Sequence, residues 1–407
     1  MKFLHVSDLH IGKCVCGVSM LGGGDQAYWI DRFLELCDSE KPDAVLIAGD
    51  LYDRALPSGD AVETVNRLLT ELSSRDLCVF LLAGNHDSPE RISYADAFLA
   101  KSNVYAAGTL TEKLTKVMLS DACGPVNVYL LPYVFPERVR ALLKDDGITD
   151  YDSAVRAILA RQDIDTSQRN VLVAHQNVIT PGKTEIFGGS ESVIGGVGEV
   201  RADAFDAFDY VALGHIHAAY PVGRESVRYA GSPLCYHFDE TKQAKKGPVC
   251  VTLGPKGTEP DIRTILIPPL HPMRIVRGSY EEVRKDLVRA DHRGEYLSVE
   301  ITDQIITSMI YNDIFSIIGS HESVLMKIHS DYEAFSEDAG SLKEEDAASS
   351  TPEQLFAMFY RARSGGAEPD DNELAVIKKA GEIVRNSGGT LGDDDVAALL
   401  SFAEELK

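Results

Sequence analysis

The chain has 407 residues, 44% hydrophobic and 25% charged, enough for two or three domains of about 100 to 200 residues each. No apolar run approaches the roughly 20 residues that cross a bilayer, which argues against a membrane-spanning helix. With 40 basic and 63 acidic side chains the net charge is -23, and such a chain is excluded as a nonspecific, salt-driven binder of nucleic acid over its whole surface.

From the amino terminus, MKFLHVSDLH meets its first acid after seven residues and has no small-residue cleavage site, so it does not read as a signal peptide. Residues 3–6 predict a strand running into SDLH, and residues 26–39 a helix with Ile30, Phe33 and Cys37 on one side. Residues 44–48 predict a strand entering GDLYD, and residues 59–74 a helix with Val62, Val65, Leu69 and Leu72 inward. Residues 77–83 then lead into GNHD. Strands are further expected at 126–131, 171–174 and 210–213, the last two entering AHQN and GHIH. Residues 145–160 read as helix and the Gly/Ser-rich 187–198 as a loop. Antiparallel closing strands are expected at 248–253 and 262–267. This alternation predicts an α/β (α+β) fold, a two-sheet sandwich covered by helices, with polar groups gathered beyond the carboxyl ends of the strands.

Pro268, Pro269 and Pro272 mark the first boundary, because closely spaced prolines resist helix and central strand. Beyond it, apolar stretches at 296–301 and 324–328 around a helix at 280–290 predict a small α+β domain. Residues 336–350 are polar and acidic, a linker by composition. Thr351-Pro-Glu-Gln354 then forms a capping pattern before Leu355, Phe356 and Phe359, and a second helix is expected over 372–384. The boundaries are thus 1–270, 271–335, 336–350 and 351–407. Residues 331–407 hold 18 acidic and 7 basic side chains, so any anionic substrate needs local cations, metal ions or a partner. Seven scattered cysteines suit a reducing compartment, which makes the cytoplasm the expected location.

The chemistry lies in a series of metal-ligand types at successive strand ends: Asp8 and His10, Asp50, Asn85, His175, then His215 and His217. Strand alternation would point Asp8 and His10 to one side and Leu9 to the other. GHIH repeats that spacing, though a terminal loop need not keep it. Singly, each histidine could be a hydrogen-bonded core group and each Gly-Asp a turn. Five of the 11 histidines, His10, His86, His175, His215 and His217, nevertheless fall at polar strand ends, and that convergence points to a metal site. His5 is expected within the first strand. His237 is kept as a minor candidate because it follows GSPL. Nitrogen and carboxylate donors favour Mn, Fe or Zn over magnesium. Cys14 and Cys16 form a C-x-C pair but lack the remaining ligands of a closed zinc site.

Read together, Asp8-Leu-His10, Gly49-Asp50-Leu-Tyr-Asp53, Gly84-Asn85-His86-Asp87, His175 and Gly214-His215-Ile-His217 resemble the calcineurin-type metallophosphoesterase family over most of residues 1–270. The resemblance implies a four-layer β-sandwich flanked by helices and two divalent metal ions, with manganese favoured. One ion would take Asp8, His10, Asp50 and His217, the other Asp50, Asn85, His175 and His215. His86 would contact the phosphate and donate a proton to the leaving oxygen, with Asp87 fixing its ring; helix capping before Ser88-Pro89 is the other reading of Asp87.

The contexts AGDLYDRALPSGD, LLAGNHDSPERI and YAGSPLCYHFDE are similar to the SbcD family of DNA-repair nuclease subunits. That similarity implies a homodimer with a capping domain and C-terminal helices docking on an SMC-like ATPase subunit, SbcC. It implies 3'-5' double-strand exonuclease and single-strand or hairpin endonuclease activity in DNA repair, recombination and replication. Some relatives carry His where this chain has Asp53, so the substrate contact does not transfer; Asp53 could orient a ligand or organise the loop of Arg54 and Ser58. Lys13, Arg54, Arg91 and Lys183 are candidate local cations or ordinary surface charge. Phe356, Phe359 and Tyr360 could face a partner or pack internally. Two alternatives stay open: a small-molecule phosphomonoesterase or cyclic-nucleotide phosphodiesterase, and a noncatalytic scaffold.

Overall fold

Strands Lys2–Val6, Ala44–Ile47 and Cys78–Leu82 are buried along almost their whole length, and a strand apolar on both faces must be covered on both. The computed structural model describes residues 1–180, 198–242, 246–289, 293–332, 354, 356–357, 360–361, 369–386 and 402. It falls into two units, one of Met1–Thr302 with Ile306–His329, the other of Asp303–Ile305 with Ser330–Lys407.

In the first unit two six-stranded sheets stack. One runs in the order Asp261–Thr264, Val249–Thr252, Lys2–Val6, Ala44–Ile47, Cys78–Leu82, Val104–Ala107, and its last four strands are parallel. The expected closing strands join its edge antiparallel, Val251 opposite Phe3 and Ile262 opposite Val251. The other sheet runs Pro221–Val222, Arg224–Tyr229, Tyr210–Gly214, Arg169–His175, Gly124–Leu131, Thr115–Asp121. Phe3, Leu46 and Phe80 of the first meet Val128, Val173 and Ala212 of the second in the inter-sheet core. Because side chains alternate along a strand, Leu4, Val45 and Val79 face outward and pack with Trp29, Phe33 and Val65 of helices Asp25–Glu40 and Gly59–Ser74. Leu172 and Val211 pack likewise with Val139, Val155 and Ile158 of Pro136–Leu143 and Tyr151–Leu159. The result is the expected four-layer helix–sheet–sheet–helix sandwich.

Details differ from the sequence expectation. Helix Gly59–Ser74 buries Ala61, Val65, Leu68 and Leu72, while Val62 is exposed, so its inner face is rotated by about one residue. The helix expected over 145–160 starts at Tyr151, where Asp150 and Ser153 form a reciprocal capping box that ends the preceding turn. Strand Thr115–Asp121 has no counterpart in the sequence reading, since an edge strand with mostly solvated side chains lacks an apolar run.

Strands Met273–Gly278, Tyr296–Ile301 and Val324–Ser330 form a three-stranded sheet. Helices Tyr280–Leu287 and Ser308–Ser320 close a small core of Val283, Leu297, Val299, Ile310, Ile314 and Ile318. The last three recur every four residues, the period that lines one helix face. In the second unit, helix Asp371–Asn386 is started by Asp370 and Glu373, each accepting the other's backbone N–H at 2.8 Å. The expected linker at 336–350, Thr351, Leu355, Phe359, Lys183, His292 and the loop up to residue 197 lie outside the described residues. No described helix is long and apolar enough to cross a membrane.

Candidate metal centre

Parallel strands deliver their carboxyl ends to one edge, and five of them bring the polar motifs there. Strand Lys2–Val6 ends before Asp8, so alternation along a strand does not orient Asp8 and His10. Instead Asp8, His10 and Asp50 adopt left-handed backbone angles, φ 54°, 43° and 49°, and His215 has φ 103°. Such angles are unfavourable for residues with a Cβ and persist where surrounding bonds enforce them. Here Asp8 N donates to Gly49 O at 3.1 Å and His10 N to Asp50 O at 2.9 Å, tying the two loops together. The motif glycines permit the crowding. A side chain at Gly84 would strike the Asp50 carboxylate, and one at Gly214 the Ala48 carbonyl and the His175 ring.

The structure brings all seven expected ligand residues together. Asp8, His10 and His217 place donor atoms within 4.8 Å of one another, and so do Asp8, Asp50 and His175, with all five buried. His175 Nε2 lies 3.0 Å from Asn85 Oδ1 and 3.3 Å from Asp50 Oδ2, and His215 Nδ1 is 3.0 Å from the same Asn85 oxygen. Asp8 also accepts from His215 N at 3.0 Å. His10 Nε2 faces His217 Nε2 at 3.1 Å, and His10 Nδ1 is buried without a hydrogen-bond partner.

These contacts fit cations. A carbonyl or carboxylate only accepts, so His175 Nδ1, 2.8 Å from Ala48 O, and His217 Nδ1, 3.0 Å from Glu240, carry the protons. In the neutral rings both Nε2 atoms are then left as acceptors, that of His175 facing the Asp50 and Asn85 oxygens and that of His217 facing His10 Nε2, a donor set that suits a cation. The electrostatics agree. Burial opposes ionisation of Asp50, yet His175 and His10 hold its carboxyl well below the usual range. Burial also pushes His175 down, but Asp50 and Asp8 outweigh it and carry the imidazole up to about 10, so in the absence of an ion a proton on Nε2 takes the place a cation would hold. Burial raises Asp8 to about 6. Burial holds His10 well below its ordinary value, so the ring stays neutral and able to donate a lone pair, and a set of buried carboxylates and imidazoles matches Mn, Fe or Zn sites.

His86 lies beside this cluster, its ring 4.7 Å from that of His10 and edge-on. Its Nδ1 is 3.0 Å from the backbone carbonyl of Asp53. Asp87, expected to hold that ring, does something else: its oxygens accept from Leu51 N at 3.1 Å, Tyr52 N at 2.9 Å and Gly84 N at 3.0 Å. Nor does it cap the next helix, where Ser88 accepts from Arg91 N. Because Asp87 follows His86 directly, its side chain turns back under the two ligand loops. Asp53 pairs with Lys13 at 2.8 Å and lies 3.9 Å from His10 Nδ1. Ser58 caps helix Gly59–Ser74. His5 sits in its strand, bonded to Tyr210 and Leu213. His237 is half-exposed and pairs with Asp239; Tyr236 and Glu240 of the same segment reach the cluster instead. Sequence reasoning missed both, since irregular chain brings them there and no periodicity marks it. Cys14 and Cys16 are exposed thiols outside every described ligand cluster.

The profile described as calcineurin-like phosphoesterase matches residues 1–219, and that described as type 5 capsule protein repressor C-terminal domain matches residues 269–364. Among curated proteins, the D component of nuclease SbcCD from Staphylococcus saprophyticus subsp. saprophyticus is 31% identical over 306 residues, 74% of this chain and 78% of that protein. Among solved structures, TT1561 of Thermus thermophilus has 15% identity and a TM-score of 0.36, covering 57% of this chain and 89% of its own. Yfce, a phosphoesterase from E. coli, has 18% identity and a TM-score of 0.22, covering 49% and 78%. With the sandwich, the clustered motifs and this extended identity, the chain belongs to the calcineurin-like phosphoesterase family, in its SbcD branch.

Proposed function

We propose that the chain is a metal-dependent DNA phosphodiester hydrolase, the nuclease subunit of an SbcCD-like complex acting in the cytoplasm. The convergence of the exposed Asn85 amide with the buried Asp50 and His175 side chains carries this reading, taken with identity to an SbcCD nuclease component over most of the chain. Asp8, His10, Asp50 and His217 would hold one divalent ion, and Asp50, Asn85, His175 and His215 the other. Two such ions polarise a phosphoester and make water a ready nucleophile at neutral pH, with manganese the favoured metal.

The chain's own groups then divide the remaining work. Asp50, common to both donor sets, would hold the two half-sites together. The Asp53 carbonyl accepts from His86 Nδ1–H, which leaves Nε2 to meet the leaving oxygen and, in the imidazolium form, to give it a proton. Asp87 keeps the loops after two strands in register by collecting their amides. Residues 271–335 serve as a capping domain over the substrate, and residues 351–407 as the dock for an SMC-like ATPase that supplies DNA-binding surface to an acidic nuclease. The working unit is a dimer of nuclease subunits with two ATPase subunits.

The test is manganese-dependent cleavage of end-labelled linear, hairpin and circular DNA by the metal-stripped, reloaded chain, alone and with its coexpressed ATPase. Shortening of linear DNA from its 3' ends and opening of hairpins are expected. Hydrolysis of small phosphomonoesters or cyclic nucleotides with intact DNA would instead assign a small-molecule phosphoesterase, and metal binding without any hydrolysis a scaffold.

A further inference from the structure

The segment after the last motif supplies the second nitrogen of His217 with a partner. Glu240 is fully buried, and its Oε1 accepts from His217 Nδ1 at 3.0 Å. Its Oε2 is 2.8 Å from Lys246 Nζ and accepts from Tyr236 N at 3.3 Å. Lys246, itself nearly buried, also donates to the His217 backbone carbonyl at 3.0 Å and to Ser232 Oγ at 2.7 Å. Ser232 N donates to that same carbonyl at 3.1 Å. The ring and the backbone of His217 are therefore held by one connected group of buried charges. Tyr236 completes the enclosure, edge-on to the rings of His10 and His217 at 5.6 and 5.8 Å, with its hydroxyl bonded to Leu9 O.

A buried carboxylate is costly unless it is fully paired, and this one is paired on both oxygens. A single lysine would balance its charge. The contact to His217 does something further: it fixes the tautomer, so that Nε2 always presents its lone pair to the side where Asp8 and His10 lie. Carboxylate partners of ligand histidines also raise imidazole basicity, and their loss typically weakens metal affinity about 10- to 100-fold.

We propose that Glu240 is a positioning residue for the metal centre: braced by Lys246, it locks His217 as a ligand and selectively tightens the ion held with Asp8 and His10. The inference rests on the binuclear reading of the site given above. Lys246 and Ser232 link ion affinity to the placement of Ser232, Glu240 and Lys246, because displacing them withdraws the carboxylate and the clamp on the His217 carbonyl together.

The test titrates Mn2+ into the metal-stripped full chain by calorimetry and compares wild type with Glu240→Gln, Glu240→Asp and His217→Ala, alongside thermal unfolding without metal. Glu240→Gln should weaken one of the two binding events about 10- to 100-fold, the same event that His217→Ala abolishes, and leave the other within twofold. Metal-free unfolding should come somewhat earlier, because Lys246 loses its buried counter-charge, and Glu240→Asp should recover part of the affinity. An unchanged isotherm in a folded Glu240→Gln chain overturns the proposal while leaving the binuclear site standing. Equal weakening of both events with earlier metal-free unfolding also overturns it, since that marks a purely structural carboxylate. A wild-type chain that binds no Mn2+ removes the binuclear reading and this inference with it, whereas two-ion binding without DNA cleavage removes only the nuclease assignment.

Discussion

The Nε2 atoms of His10 and His217, from the first loop and the last motif of the sandwich, face each other 3.1 Å apart with both rings buried. The His217 Nδ1 proton is spent on Glu240, so its Nε2 can only accept. Asp8 brings a carboxylate oxygen within 4.8 Å of both rings' donor atoms, and Asp50 Oδ2 lies 3.7 Å from His10 Nε2. An acceptor pocket of this kind is stable with a cation in it, and the first expectation concerns which residues that cation needs.

Asp50 places a donor atom within 4.8 Å of those of Asp8 and His175 and also of those of His10 and His86, whereas His217 is grouped with Asp8 and His10 alone among the described residues. Asp50→Ala should therefore lose both ions and His217→Ala mainly one. Elemental analysis after gentle desalting reads this directly. Full two-ion occupancy in the Asp50 variant would falsify the bridging assignment.

His86 is held through Nδ1 by a backbone carbonyl, a ring nitrogen lies within 4.8 Å of the His10 and Asp50 donor atoms, and its backbone N–H donates to Asp50 at 2.9 Å. His86→Ala keeps that amide. It should retain both ions and bind DNA while single-turnover cleavage falls about 100- to 10,000-fold, the usual worth of a placed proton donor. Near-normal cleavage with both ions bound would reject the role, and loss of the ions would move the explanation to assembly of the site.

Asp87 accepts three backbone amides, so its removal is a stability event before it is a catalytic one. Asp87→Ala strands buried N–H groups at a cost of about 1 to 3 kcal/mol each, enough to lower the urea midpoint clearly. Asp87→Asn keeps acceptor capacity on one atom and should fall in between. If both variants unfold like wild type yet lose cleavage, the carboxylate acts on His86 after all.

His5 gives the fold a pH dependence separate from the metal site. Its Nε2–H donates to Leu213 O at 3.2 Å and its Nδ1 accepts from Tyr210 at 2.9 Å, a neutral ring joining the two sheets. Burial, with Arg228 nearby, lowers its pKa from 6.5 to about 3. The unfolded chain thus binds a proton that the fold refuses. The contribution is complete above pH 6.5 and declines as pH falls toward 3, reaching a loss of about 3 kcal/mol near pH 4. Urea unfolding of wild type and His5→Gln between pH 7 and 4 should differ in slope by up to one proton. Parallel curves would show that the ring protonates inside the fold.

The Phe356 and Tyr360 rings lie 5.7 Å apart in the second unit, tilted by 53° to each other, and Tyr360 also bonds Glu373 at 3.1 Å. Removing residues 336–407 should spare ion binding, whose ligands all precede residue 218, and weaken capture of the ATPase partner. Phe356→Ala should reproduce part of that loss if its ring meets the partner, because buried aromatics dominate many interfaces. Titration of the two purified proteins, with circular dichroism confirming the fold, decides it; unchanged affinity in the truncation excludes the tail as the principal dock.

Several features were legible in the sequence alone. Apolar strands ending in Asp, Asn and His, spaced by amphipathic helices, determine an α/β sandwich, because period-two and period-3.6 patterns leave few other ways to bury those side chains. The positions of the candidate ligands were legible for the same reason: DxH, GD, GNHD and GHIH each sit where a parallel strand stops. Tertiary structure decided how those residues point. Left-handed backbone at Asp8, His10 and Asp50 replaces strand alternation, and it is enforced by bonds between loops about 40 residues apart in sequence. It also decided that Asp87 serves the backbone and that Glu240 reaches His217 across 23 residues. Periodicity encodes which face of an element is buried. It carries no information about which irregular segment a folded sandwich lays against which ligand, since that is fixed only when distant loops compete for the same buried hydrogen-bond donors and acceptors.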